Sequence, residues 1–147
     1  MAKARVEMQI DCPPEVAFDY YADIRNELQW NPDARRVEKL TPGDIGPGTQ
    51  FEADYRGLGA FTMEWVACER PHRLQSLGRN RSMEFGSVNT LTPVEGGTLW
   101  VAEGYAHPRG LFRLLEPIMG RMIERQFVST LTRFKRAVEG REKRPAA

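Results

Sequence analysis

Histidine and cysteine are scarce in this chain, with two of each among 147 residues, and their scarcity removes several chemistries at once. Cys12 and Cys68 lie far apart with no CxxC or Cys/His companion, so neither a disulfide framework nor a zinc site is expected. His72 follows Pro71 in a turn and His107 precedes Pro108 at a strand end, which places both at the surface. No HExxH, Walker loop, GxGxxG or Ser/His/Asp order occurs, and Asp11, Asp19 and Asp23 are dispersed around a helix rather than gathered at metal spacing. The expectation is that the protein uses no cofactor and no metal. Neither sign of charge is in excess, with 21 basic against 20 acidic residues, so the electrostatic footprint of a nucleic-acid binder is missing. Long apolar runs are missing too. Nothing approaches the roughly 18 residues of a membrane span, and Glu7 and Asp11 interrupt any signal-peptide core. The reading is a cytoplasmic protein without a transmembrane segment.

What the chain does contain is periodicity. Residues 3–10 alternate, with Val6, Met8 and Ile10 on one side, as in a half-buried strand. Pro13 and Pro14 stop it, and Pro14-Glu15 is a favourable helix opening, because proline tolerates the first turn and a carboxylate faces the positive end of the helix dipole. Val16, Ala17, Tyr20, Tyr21 and Ile24 form the buried stripe of that short helix, and a second short helical piece runs from about Asp23 to Gln29, ending before Pro32. Between Arg35 and the last strand, Gly/Pro punctuation separates six strands by connections too short for a crossover helix, which predicts an antiparallel meander. From about Gly110 to Glu139, Leu111, Leu115, Met119, Ile123, Phe127, Leu131, Phe134 and Val138 form one apolar ladder of a long helix whose first turns Pro117 kinks or delays. A sheet with one face to bury and a helix with one stripe to bury satisfy each other. The domain is read as residues 1–140, followed by a disordered basic tail over 141–147.

The pattern becomes specific at Asp23-x-x-Asn26-x-x-x-Trp30-Asn31-Pro32, then Val37-Glu38-Lys39-Leu40 and Gly43-Asp44-Ile45-Gly46-Pro47-Gly48-Thr49-Gln50-Phe51, with Glu69-Arg70-Pro71-His72-Arg73-Leu74, Gly97-Thr98 and Leu131-x-x-Phe134-Lys135 further along. Over essentially its whole length the chain resembles the START-like (SRPBCC) superfamily, in its short bacterial polyketide cyclase/dehydratase and lipid-transport branch. The resemblance implies an α+β helix-grip fold: a curved seven-stranded antiparallel sheet, two short helices and a long C-terminal helix enclosing a cavity. It also implies a hydrophobic small-molecule ligand, such as a lipid, steroid, quinone or polyketide. By its position in the family pattern Trp30 is a packing anchor. The matching motifs are turns and core anchors, so they specify the fold and not the reaction.

Strand parity then identifies the concave wall. Gln50, Glu52, Asp54 and Arg56 face out, leaving Phe51, Ala53 and Tyr55 inside; Phe61, Met63, Trp65 and Ala67 follow on the next strand, and Met83, Phe85, Ser87, Asn89 and Leu91 on a later one. In the last strand a two-residue Glu95-Gly96 turn puts Trp100, Ala102 and Gly104 inside, whereas a three-residue loop puts Leu99, Val101, Glu103 and Tyr105 there. The first is preferred because small residues make room. An apolar wall with few polar groups suits a small-molecule pocket. The candidate ligand-binding set is Tyr55, Met63, Trp65, Phe85, Ser87 and Asn89 on the sheet, with Met119, Ile123 and Phe127 on the helix. Asn89 in particular is expected to be a buried amide short of partners. No catalytic residue is assigned. Two functions remain open, a carrier of an apolar or aromatic metabolite and a cofactor-independent cyclase/dehydratase, in a monomer or homodimer that binds no nucleic acid.

Overall fold

A computed structural model describes residues 1–143. The first strand, β1 (Ala2–Ile10), leads into α1 (Pro14–Ala22), a single 3-10 turn (Ile24–Asn26) and the four-residue α2 (Glu27–Trp30). Six strands follow: β2 (Ala34–Lys39), β3 (Gln50–Tyr55), β4 (Gly59–Glu69), β5 (Arg73–Arg79), β6 (Met83–Val94) and β7 (Gly97–Pro108). A second 3-10 turn (Gly110–Leu115) feeds the long α3 (Glu116–Lys143), with Pro117 in its first turn, where no backbone N–H is required. All seven strands form one antiparallel sheet in the order β1-β7-β6-β5-β4-β3-β2. The meander expected from the short connections is what forms, and β1 pairs with the last strand.

The hairpin between β6 and β7 takes the two-residue turn. Val94 pairs with Gly97 and Leu91 with Trp100, while Gly96 adopts a positive φ of 84° that a side chain would disfavour. Trp100 and Ala102 therefore face the core and Glu103 faces solvent. Parity fails at one expected position. A bulge between Trp65 and Ala67 turns β4 over, so Ala67 pairs with outward Gln75 while Cys68 pairs with buried Leu74.

The register gives the molecule two unlike ends. At one end α1 closes the sheet: the buried Trp65 indole donates to the Ala22 carbonyl at 2.9 Å, and Phe18 and Ala17 are shut away. There Phe134 of α3 is fully buried among the rings of Tyr21, Trp30 and Trp100, with centroids 5.2 to 5.5 Å away. The other end carries the β3–β4 and β5–β6 turns and the 3-10 turn before α3. Here the apolar ladder read from sequence departs from the structure. Leu111 is 84% exposed and Leu115 43%, because 3-10 winding shifts the helical phase and because the segment lies beyond Pro108, the last paired residue of β7. Helix α3 continues through Lys143, and the Arg141 guanidinium lies 4.3 Å from the Tyr20 ring centre. Residues 144–147 of the expected tail lie outside the described residues.

Candidate functional site

Helix α3 rests on β1 and β7, where side chains are small. Gly120 comes so close that a Cβ there would lie 3.1 Å from the Lys3 carbonyl oxygen, and the Phe127 ring occupies the space a Cβ on Gly104 would need, 2.3 Å from it. The helix therefore lies low over one edge of the sheet, on β1 and β7, and makes its close approaches there rather than over β3 to β6. Inward-facing Tyr55, Ser76, Phe85 and Ser87 keep part of their surface accessible although they point toward the helix side.

The nine candidate residues divide on this basis. Tyr55, Phe85, Ser87, Ile123 and Phe127 are half-buried. Met63, Trp65, Asn89 and Met119 are closed in, at 8%, 2%, 2% and 6% exposure. Phe85, Met119 and Ile123 meet in one cluster with Ala2 and Ala106, and Phe61 bridges Tyr55 to Phe85 through edge-on contacts of 5.1 and 5.5 Å. Trp65 sits apart as the pin under α1.

Asn89 is not the partner-poor amide that the sequence suggests. Its Oδ1 accepts the Trp100 indole N–H at 2.9 Å, and its Nδ2 lies 3.4 Å from Ser87 Oγ, which in turn is 2.7 Å from Ser76 Oγ. The inward hydroxyls and amide form a relay across β5, β6 and β7. Its serine end is half-buried, whereas the amide serves the core by satisfying a buried indole.

The polar group that sequence reasoning misses is Glu27. It lies on α2 with Trp30 and Asn31 three and four positions on, so the short helix turns all three the same way. Asn31 Nδ2 donates to Glu27 Oε1 at 3.2 Å, and the Tyr55 hydroxyl, from β3, hydrogen-bonds to Glu27 Oε2. No salt bridge reaches this carboxylate among the described residues; Arg133 goes instead to Asp33, at 3.1 Å. Burial without a cation pushes the Glu27 carboxyl up to about 7, against the opposing hydrogen bond from Asn31. Tyr21, deep beside it, is raised by burial first and by the nearness of Glu27 second. The Trp30 indole N–H, also buried here, has no hydrogen-bond partner among the described residues. A carboxyl that exchanges its proton near neutrality, a phenol in contact with it and an unanswered N–H together can hold a ligand's polar group or move a proton to it. No group of His, Cys, Asp and Glu suited to a metal is found among the described residues.

Comparison with known proteins agrees with this architecture. The family model described as polyketide cyclase/dehydrase and lipid transport matches residues 1–139. No curated protein matches the sequence significantly. Among solved structures, the Zhui aromatase/cyclase from Streptomyces sp. R1128 superposes with a TM-score of 0.79 at 13% identity, covering 96% of this chain and 95% of that one. A norcoclaurine synthase point mutant of Thalictrum, in complex with a transition-state analogue, gives 0.72 at 11% identity with 96% of each chain covered. A Thermus thermophilus protein gives 0.75 at 17% identity, covering 94% of this chain and 97% of that one. At such identities the likeness is one of fold.

Proposed function

We propose that this chain, which belongs to the polyketide cyclase/dehydrase and lipid transport family, binds a mainly apolar, aromatic or alicyclic small molecule between α3 and the concave sheet. In this reading the ligand's one polar group, a carbonyl or hydroxyl, is turned toward Glu27 and Tyr55. The observation that carries the reading is the Glu27–Tyr55 contact beside the apolar rings of Phe61 and Phe85. Phe61, Phe85, Ile123 and Phe127 offer rings and branched chains to a hydrophobic body, and the carboxyl and phenol offer one donor and one acceptor to its head. Native mass spectrometry of the purified protein, with extraction of whatever it carries, tests this directly. A bound apolar compound lost in the Phe85→Ala variant supports it; an empty protein that also fails to displace an environment-sensitive dye with aromatic polycycles overturns it.

A second reading, acid–base chemistry on the bound molecule, is favoured by one observation: a carboxyl poised near neutrality in contact with a phenol. The carboxylate would take a proton from the carbon next to a ligand carbonyl while the Tyr55 hydroxyl hydrogen-bonds the enolate oxygen, and the same proton or one from solvent would return to that carbon. Deuterium exchange at that carbon of a bound aryl ketone, followed by NMR, separates the two readings. Exchange abolished by Glu27→Gln with binding retained favours chemistry, and no exchange above solvent background favours carriage alone.

A further inference from the structure

The end of the molecule at the 3-10 turn before α3 carries a surface that the ligand reading does not explain. Leu111, Phe112, Leu114, Leu115, Ile118 and Met122 are 84, 47, 79, 43, 53 and 54% exposed. They follow one another along the 3-10 turn and the first two turns of α3. Single exposed apolar residues are ordinary, but six in twelve residues on one continuous stretch mark an interaction surface.

Its charges identify the partner. Arg109 precedes the 3-10 turn and Arg113 lies within it, and Arg121 and Arg125 lie three residues from Ile118 and Met122 along the helix. None of the four forms a salt bridge among the described residues. The acidic groups near them are engaged or outnumbered: Glu116 is held by the Met1 amine and also senses Arg113 and His107, Glu84 faces Arg79, and Glu124 is the remaining carboxylate on this stretch. Beside the apolar residues, Arg109, Arg113 and His107 border a polar depression of about 380 Å³, together with Glu84 and Glu116.

From this arrangement we infer that this end of the molecule docks on an anionic lipid bilayer. Leu111, Phe112, Leu114 and Ile118 enter the acyl boundary, and Arg109 and Arg113 take lipid phosphates. An apolar face with arginines on its flank is the composition of a helix that lies in a membrane interface. A second copy of this chain fits less well, since a two-fold pairing of this face would set arginines against arginines. Bilayer contact at this end also places the lipid near the apolar cluster that contains Met83, Phe85 and Ile123.

Vesicle co-flotation of the full chain tests the inference. Phosphatidylcholine vesicles containing phosphatidylglycerol should carry the protein up the gradient in a salt-sensitive way, and pure phosphatidylcholine vesicles should not. Arg109→Gln with Arg113→Gln should weaken binding by about thirtyfold, the loss expected for two arginines at an anionic surface. Leu111→Ser with Leu114→Ser should abolish flotation while the thermal midpoint and dye binding between α3 and the sheet stay unchanged, which separates this result from failure of the ligand reading. Three outcomes overturn it: no flotation, equal flotation with neutral vesicles, or a dimer in light scattering whose hydrogen-exchange protection covers residues 111–122.

Discussion

The two halves of α3 carry similar ladders of apolar residues and meet opposite surroundings. In the C-terminal half, Leu131, Phe134 and Val138 are 2, 0 and 1% exposed, and Phe134 is enclosed by rings from α1, α2 and β7. In the N-terminal half Met119 is buried but against Ala2 and Ala106, Ile123 and Phe127 are half-buried, and Ile118 and Met122 lie in solvent. One helix thus serves as core at one end and as a half-covered and outer surface at the other. Periodicity reports which residues share a face; what that face meets depends on the element opposite. At one end that is an aromatic cluster, and at the other a row of small residues ending at Pro108.

The contrast can be broken by substitution. Phe134→Ala should have the largest effect, about 3–5 kcal/mol of stability, because the ring is closed in on all sides and leaves a cavity. Denaturant unfolding would measure it. Glu27→Gln should act in the opposite direction. Folded Glu27 keeps its proton up to about 7, whereas its ordinary value is 4.5, so its contribution is fully present below 4.5 and is lost as pH rises through 7. The variant should therefore be more stable than the wild type at pH 8, by up to about 3 kcal/mol, and equal to it near pH 4. A pH series of thermal midpoints that runs parallel for the two proteins would contradict the placement of Glu27 in the interior.

Asn89→Leu should destabilise by about 1–3 kcal/mol, because it strands the buried Trp100 indole N–H that Asn89 now accepts. A neutral or stabilising result would mean that this amide is not the indole's partner. The smallest of the four effects belongs to Phe127→Ala, at about 1–2 kcal/mol, since a half-buried ring removes less surface from water than a closed one. Should Phe127→Ala cost as much as Phe134→Ala, the space between α3 and the sheet is packed shut and the two halves of α3 are alike after all.

Much of the sheet is legible in the residues themselves. Alternation of charged and apolar residues locates the inner faces of β3, β4 and β6, and the small Ala102 and Gly104 make the two-residue turn the better register for β7, which puts Glu103 outside. Ala67 escapes that alternation because a bulge leaves no mark in a run such as Trp65-Val66-Ala67. Asn89 reads as a ligand group because its partner, Trp100, lies eleven residues on across a hairpin. Glu27 goes unseen for the complementary reason: a lone glutamate on a four-residue helix has the composition of a solvated turn, and its burial comes from Tyr55, 28 residues away. Its spacing from Trp30 and Asn31 is the one available signal.

The pairing of β1 with β7 also orders events in time. Every other neighbouring pair in the sheet is consecutive in sequence and closes through a short loop, but β1 finds its partner across roughly a hundred residues, and long closures are made late. The strand synthesised first therefore waits for the strand synthesised last, and α3, which rests on both, waits with it. During that interval the β7 edge and the inner face beneath α3 stand uncovered, and this is the stage at which the chain is most open to a chaperone or to a second unfinished copy of itself.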